Sequence, residues 1–367
     1  MRDFNNWSNY FRQGMMSEFN TDVSGLFWLK LKSIVRKDFL SDFAEAVGLD
    51  ITDKNLNVAF EFLFSTLSSN ASQASLTLDA FIRDRSRQQI DSINIESLVS
   101  ELYKMRTFEW GGDYKNSLDK YLISRFIKTD DPSYENLLDK FDTEINPSVR
   151  GYVLNSWYNY WSSILIENIF KSHPSVLPTI GKIKSVDFFI HDIPFDLKVT
   201  YLPSEYIAKK RRENGFPVEL TFLKRKARLL NIFFDENASP DTIEHEIIEK
   251  MKDRNTSACR DVLNEIHEQN LSILETARSF PNELSKWLYE NQGEMRFGSE
   301  NRIYLILVDS DNFKNSWALK RNVDLLRPVI NQYLNNFSQE ALTQNQIEFT
   351  YRTETFSAIA NTIFTVS

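Results

Sequence analysis

The sequence predicts an α/β fold in which helices flank a mixed central sheet. Residues 152–171 have the apolar spacing of a strong helix, and His173-Pro174 ends it because proline disfavours helix in the residue before it. Two strands follow at 182–190 and 195–201. Residues 302–309 are a nearly continuous apolar run with β-branched members, which is typical of a buried central strand. This alternation of helix and strand predicts an α/β layer arrangement.

The amino-terminal part of the chain, residues 1–150, has mainly helical periodicity. Segments 55–67 and 95–108 carry apolar residues at spacings of three and four, and the Ser/Asn-rich piece 68–75 is expected to connect two helices. We therefore expect a helical amino-terminal region, serving DNA contact or dimerisation, ahead of a main domain at 151–367.

A helical insertion is predicted between the second strand and the central apolar run. It covers about residues 203–299, with the clearer helices at 241–252 and 258–278. After the central strand, residues 315–336 again have helical spacing, and 347–352 alternate like a last strand. These segments complete the expected order of helices and strands.

Composition excludes several classes of protein. The 367 residues are 42% hydrophobic and 26% charged, as in ordinary globular proteins. The single Cys259 excludes a disulfide framework and a Cys-rich zinc module, and the four histidines include no pair at the helical i, i+4 metal spacing. Residues 1–10 lack the pattern of a signal peptide, and 25–35 are too short and too charged to span a bilayer. We expect a cytoplasmic protein without a membrane partner.

Positive charge is concentrated in one stretch of an acidic chain. The formal net charge is −8, yet residues 198–228 contain five Lys and four Arg against three Glu, a net of +6. A local basic face is sufficient for contact with a polyanion. The candidate phosphate contacts are Lys209, Lys210, Arg211, Arg212, Lys224, Arg225, Lys226 and Arg228. A solvated helix surface is the alternative interpretation.

Three charged residues are expected on one face of the predicted hairpin. Asp196 and Lys198 point to the same side of their strand because side chains alternate. If the connecting loop has an even number of residues, Asp187 joins them, whereas an odd loop separates them. A two-residue loop at Asp192-Ile193 would place Asp187 directly opposite Lys198.

Two carboxylates beside an ammonium group suit a divalent cation. Mg²⁺ prefers oxygen ligands and usually takes one or two carboxylates together with phosphate oxygens and water. A neighbouring lysine offsets the repulsion between the acids and can orient or deprotonate an attacking water. The alternative is an ordinary surface pair of Asp196 and Lys198 on an exposed strand.

The pattern Asp187, eight residues, Asp196-Leu197-Lys198 resembles the catalytic motif of the PD-(D/E)XK nuclease superfamily. That family has a restriction-endonuclease-like core in the order helix, three strands, helix, strand. The resemblance covers about residues 150–367, and Val186 stands in place of the nominal proline. The stretch between the second and third predicted strands is longer than such a core needs.

The resemblance implies roles for individual residues. Asp187 and Asp196 would bind metal, Lys198 would act on the water, and Glu167 would add an acid from the preceding helix. The alternative for Glu167 is a boundary residue of a buried helix. Implied with these roles are Mg²⁺ (or Mn²⁺) as cofactor, no nucleotide cofactor, DNA as substrate and a homodimer.

The expected function is a metal-dependent endonuclease that makes site-specific double-strand cuts in restriction or defence. Two alternatives stay open. One is a non-catalytic nucleic-acid-binding or assembly protein that retains the nuclease fold. The other is a protein whose basic stretch docks an acidic protein partner.

Overall fold

The computed structural model describes residues 2–20, 22–108, 118–128, 133–181, 183–291, 300–338, 344–351 and 353–367. The fold is mixed α/β, with a six-stranded sheet flanked by helices. Lys182 and Arg352, each at an end of a predicted strand, lie outside these ranges.

Six helices form the first part of the chain. They are α1 (Phe4–Arg12), α2 (Val23–Lys32), α3 (Lys37–Ala46), α4 (Leu56–Leu67), α5 (Ala71–Asp91) and α6 (Ile95–Tyr103). The predicted connection at 68–75 is shorter than expected, because a 3₁₀ turn at Ser68–Asn70 leads directly into α5.

Three further helices lead into the sheet. They are α7 (Leu118–Leu122), extended by a π-helical turn at Ile123–Ile127, α8 (Tyr134–Lys140), extended by another at Phe141–Ile145, and α9 (Asn146–Lys171). Strands β1 (Val176–Pro178), β2 (Phe188–Ile190) and β3 (Ile193–Tyr201) follow. The predicted strand at 182–190 is thus limited to its last three residues, and the sequence did not predict β1.

Between β3 and the next strand, the described residues 202–291 form five helices. They are α10 (Ser204–Glu213), α11 (Glu219–Leu229), α12 (Pro240–Arg254), α13 (Ser257–Ser279) and α14 (Pro281–Asn291). After them come β4 (Arg302–Val308), a 3₁₀ segment (Phe313–Arg321), α15 (Val323–Asn336), β5 (Gln346–Tyr351) and β6 (Glu354–Val366). The sequence did not predict β6, the longest strand described.

The sheet has a parallel centre and antiparallel edges. Its order is β1-β2-β3-β4-β6-β5, with β3, β4 and β6 parallel to one another and the remaining pairs antiparallel. All seven residues of β4 are buried, in agreement with its apolar sequence. The central strand therefore has protein on both faces.

Helices cover the two faces with separate apolar clusters. One cluster joins α9 and α15 to the face that carries Leu197 and Leu305. The other joins α13 and α14 to the opposite face, which carries Tyr304 and Ile306. Asp196 and Lys198 alternate with Leu197, so their side chains belong to the second face.

The amino-terminal helices pack directly on the β1–β2 region. The core of α1–α5 includes Leu177, Ile180, Val186 and Phe189. Gly181 donates its N–H to the carbonyl oxygen of Ser33 over 2.9 Å, and a Cβ at this glycine would lie 2.4 Å from that oxygen. Only glycine allows this close approach.

A buried lysine fixes the hairpin to these helices. The Lys30 side chain on α2 is 3% exposed, and its Nζ donates to Asp79 Oδ2 at 2.9 Å and to Asp192 Oδ1 at 2.7 Å. Asp192 lies in the turn between β2 and β3. Within the described ranges, no helix is both long and apolar enough to cross a membrane.

We predict that Lys30→Met lowers the free energy of unfolding by about 2–4 kcal/mol, because it leaves the half-buried Asp79 without its counter-ion. Lys37→Met, at an exposed position on α3, should change it by less than about 0.5 kcal/mol. Urea denaturation of the two variants beside the wild type measures both. Equal stabilities would contradict the structural role of Lys30.

Candidate active site

The turn between β2 and β3 decides how the three predicted site residues meet. It consists of His191 and Asp192, whose φ angles of 48° and 67° are left-handed, as a two-residue hairpin turn requires. The loop has the expected even length, but it lies one residue earlier than predicted. Phe188 pairs with Phe195, so Asp187 does not lie opposite Lys198 as expected.

Asp187 instead contacts the backbone of β3 beside Asp196. Its N–H donates to the carbonyl oxygen of Phe195 at 2.8 Å, and its Oδ2 accepts the Leu197 N–H at 2.7 Å. Its carbonyl oxygen accepts the N–H and the hydroxyl of Thr179. The backbone of Asp187 is therefore held at the start of the hairpin by both neighbouring segments, and its carboxyl group is held by β3.

Asp196 is buried, and cations lie at both of its oxygens. Lys198 Nζ donates to Oδ1 at 2.8 Å, and Arg302 Nε lies 3.3 Å from Oδ2. The Lys198 side chain is 40% exposed, whereas that of Arg302 is 4% exposed. Lys198 is thus the member of this group that solvent or a ligand can reach.

The acids influence one another electrostatically. Burial, and next the charge of Asp196, raise the pKa of Asp187 to about 6. Glu167 adds to this rise, while the Leu197 N–H and the Lys198 ammonium oppose it. Asp187 therefore lies in the field of two other carboxyl groups, which raise its pKa, and of the Lys198 ammonium, which lowers it.

Glu167 lies on α9, close enough to Asp187 for its charge to raise the pKa of that residue. Its Oε2 accepts a hydrogen bond from Lys171 Nζ at 2.7 Å, one helical turn later. The Glu167 side chain is 32% exposed. The structure therefore brings Glu167 into electrostatic range of Asp187 but pairs it with a cation of its own helix.

Arg302 and Glu300 belong to the same group, although the sequence analysis did not select them. Arg302 pairs in register with Asp196 across the parallel β3–β4 contact. Its Nη2 donates to Glu300 Oε2 at 3.2 Å, and Glu300 Oε1 accepts the Ser185 hydroxyl at 2.7 Å. Burial raises the pKa of Glu300. The detectable signal was an arginine that begins an otherwise apolar strand.

Two tyrosines complete the buried wall around Arg302. Its guanidinium lies 4.6 Å from the ring centre of Tyr289, and its Nη1 donates to Tyr304 Oη at 3.2 Å. Tyr289 Oη donates to the carbonyl oxygen of Glu300 at 2.7 Å. Burial raises the pKa of Tyr304 to about 12, so its hydroxyl is protonated at neutral pH.

Among the described residues, no group of three or more His, Cys, Asp and Glu side chains is arranged to hold a metal ion. Asp187 and Asp196 offer two carboxylates, and the chemistry of these donors fits a hard cation that completes its shell with water and phosphate. The three-acid metal set with Glu167 is not assembled in this structure.

The basic residues of α10 and α11 differ in what they contact. Arg211, predicted as a phosphate contact, is instead fully buried. Its guanidinium donates to the Pro217 carbonyl, Asn270 Oδ1 and Gln269 Oε1 at 2.9, 3.1 and 2.6 Å. It joins α10 to α13 and does not face solvent, so its prediction as a nucleic-acid contact is wrong.

Glutamates neutralise several of the other predicted contacts. The pairs are Lys209–Glu213, Lys210–Glu213, Lys210–Glu283, Lys226–Glu265 and Arg228–Glu236. Lys224 is half-buried, and Arg212 and Arg225 are exposed. The surface offered to a polyanion is therefore smaller than the sequence predicts.

Comparison with protein-family models, with curated proteins and with solved structures found no match to this chain.

Asp187→Asn should stabilise the metal-free protein above pH 7. Because the pKa of Asp187 in the folded state lies above the ordinary 3.8, the folded protein keeps a proton that the unfolded chain releases between about pH 4 and pH 6. Stability therefore falls as pH rises through this window. In EDTA at pH 8 the variant should exceed the wild type by about 1–3 kcal/mol, with a difference that shrinks towards pH 4.

Denaturant titrations across pH 4–8 test this, with exposed Asp311→Asn as the control. A difference independent of pH, or one equal to that of the control, would contradict the electrostatic origin.

Proposed function

We propose that this chain is a divalent-metal-dependent nuclease that hydrolyses DNA phosphodiester bonds, with its active centre at Asp187, Asp196 and Lys198. The observation that carries the proposal is the meeting of these side chains at the start of one hairpin, with a pKa of Asp187 raised by burial and then by the charges of Asp196 and Glu167. Mutually repelling carboxylates near a solvent-exposed lysine are an arrangement that a bound cation would stabilise.

The order of elements supports the proposal. Helix α9, strands β1, β2 and β3, the helices α10–α14 and strand β4 follow one another as helix, three strands, helices and strand. That is the order which the resemblance to the PD-(D/E)XK superfamily implies. When β1 is counted as the first strand of this order, β3 is the third strand and β4 the fourth. Helices α10–α14 then take the place of the single helix between them.

The residues would divide the work as follows. Asp187 and Asp196 would hold Mg²⁺ or Mn²⁺, which when bound supplies positive charge to the scissile phosphate and lowers the pKa of a water ligand. Lys198 would orient the attacking water, because its ammonium is the reachable cation of the group. Glu167 would raise the local negative potential from α9.

Lys198 must move for this chemistry. Its Nζ is bonded to Asp196 Oδ1, and Arg302 lies at Oδ2, so a cation on Asp196 has to displace the lysine rather than the buried arginine. The displaced ammonium would remain within reach of water on the metal. Arg302 would position Asp196 throughout.

In this proposal the substrate is double-stranded DNA, cut at specific sites in restriction or defence. Arg212 and Arg225 are exposed, lie outside the glutamate pairs named above, and would contact phosphates.

A second candidate is a nucleic-acid-binding or assembly protein without turnover. It is favoured by the ion pairs at both oxygens of Asp196, which already balance this carboxylate without a metal. The two candidates differ in one measurable respect, since only the nuclease requires Mg²⁺ for a chemical product.

We predict that Asp187→Ala and Asp196→Asn abolish Mg²⁺-dependent cleavage of plasmid and genomic DNA and leave DNA affinity within about threefold, because ligands of the metal serve the chemistry. Lys198→Met should lower single-turnover cleavage by roughly 10²–10⁴-fold. Lys37→Met, which removes an exposed lysine on α3 outside the predicted phosphate contacts, is the control. Cleavage at the wild-type rate by either aspartate variant would contradict the proposed centre.

We further predict that Arg212→Ala and Arg225→Ala each make the dependence of DNA affinity on log salt shallower by about 0.9 per lost phosphate contact. Lys210→Ala should leave the slope unchanged, because two glutamates already neutralise that lysine. Fluorescence anisotropy at several salt concentrations measures the slopes. Equal slopes for all three variants would remove α10 and α11 from the DNA interface.

A further inference from the structure

An unusually apolar surface lies on helices α7 to α9. We call it the α7–α9 apolar face. Its members are Ile123, Ile127, Tyr134, Leu138, Phe141, Val153, Leu154, Trp157 and Tyr160, each between 36% and 70% exposed. So many exposed large apolar side chains on neighbouring elements are typical of a surface that binds a partner.

The face follows from helical spacing. Tyr134, Leu138 and Phe141 are four and three residues apart, so they lie on one side of α8 and its extension. Val153, Trp157 and Tyr160 have the same spacing on α9. An ion pair of 3.6 Å between Arg125 and Glu144 joins the extension of α7 to that of α8.

Of these helices, α7 and α8 bury little within their own chain. Neither α7 nor α8 has a buried residue, and their two π-helical extensions bury only Phe126 and Ile145. Folding alone therefore offers weak stabilisation to this part of the chain, since burial of apolar surface is the main favourable term. Docking against another surface would supply the additional stabilisation.

The net charge of the segments that form this face indicates which class of partner it can bind. Residues 118–128 and 133–160 contain five Lys or Arg and five Asp or Glu, a net charge of zero. A polyanion such as DNA requires a positive face. A two-fold symmetric contact, in which one surface meets a copy of itself, requires the absence of a dominant charge.

The area of the α7–α9 apolar face also fits an interface with a second copy of the chain. At the exposures given above, the nine side chains present on the order of 800 Å² of surface, which is about what each partner contributes to an interface of standard size. A cavity of about 760 Å³, lined in part by Met105, Arg150 and Leu154, borders the face. Such a concavity can receive a partner's aromatic side chain.

We propose that the α7–α9 apolar face is a homodimer interface, on which a second copy of this chain docks about a two-fold axis. The interface runs towards the hairpin site, because Ile164 and Glu167 continue the Val153–Trp157–Tyr160 side of α9. The inference stands independently of nuclease activity, since it rests on exposure and charge alone.

The test is the mass of the full-length chain in solution. By sedimentation velocity at about 1–50 μM, a range that resolves micromolar and tighter dimers, the wild type should have twice its chain mass of 43.0 kDa. The double variant Leu138→Glu/Tyr160→Glu should raise the dissociation constant by about 100-fold or more and sediment as a monomer. Tyr134→Lys/Val153→Lys, at independent positions on the same face, should do the same.

The matched control is Leu229→Glu/Phe233→Glu, which charges two residues that are 73% and 84% exposed at the end of α11. It should remain dimeric. All variants should keep the wild-type circular dichroism spectrum, because the substituted side chains are exposed.

A wild type that is monomeric throughout the range would overturn the proposal. So would a dimer that survives both face variants or is lost in the control. A monomeric wild type whose DNA affinity falls in the face variants would assign the surface to nucleic acid instead.

Discussion

The short turn at His191 and Asp192 determines the geometry of the hairpin on which the candidate site lies. It sets Phe188 against Phe195 and thereby brings Asp187 beside Asp196. A shift of the pairing by one residue would send Asp196 and Lys198 to the opposite face, which is apolar and packed against α9 and α15. The buried ammonium of Lys30 holds this turn through Asp192. The amino-terminal helices are therefore part of the support of the hairpin.

The second constraint is a chain of buried polar contacts. It runs from the Ser185 hydroxyl through Glu300 and Arg302 to Asp196. Each of these charged groups has a partner, as burial requires. Lys198 is the more exposed member and therefore the one that can change partners at low cost. The buried members, Glu300, Arg302 and Asp196, are fixed by one another, whereas the exposed Lys198 can change its position. A site that receives a ligand needs both kinds of residue.

The sequence predicted that Asp187, Asp196 and Lys198 would meet, because strand alternation and an even loop are local properties. It misplaced the turn by one residue, although Asp tolerates a left-handed backbone better than the β-branched Ile193 does. The roles of Arg211 and Arg302 could not be predicted, since their partners Asn270 and Asp196 become neighbours only in the folded chain.

Strands were missed for different physical reasons. Strand β1 has three residues, too few for a periodic pattern to be visible. Strand β6 buries polar Asn361 and Thr365 among its apolar residues, which weakens the usual signal of a central strand. Helix α9 was located correctly in its main part, because Leu165, Ile169 and similar residues give it a long apolar side.

The insertion between β3 and β4 has a consequence for how the chain folds. These parallel neighbours are separated by residues 202–301, so pairing them closes a long loop, and such non-local contacts slow folding. Helices α11, α12 and α13 have an apolar cluster of their own, formed by residues such as Leu223, Ile247 and Val262. A unit that collapses locally brings its two ends together and reduces the entropy lost when the strands meet. The apolar core of the insertion thus offsets part of the entropy lost on closing this long loop. This helps β3 to pair with β4, although the two strands are distant in sequence.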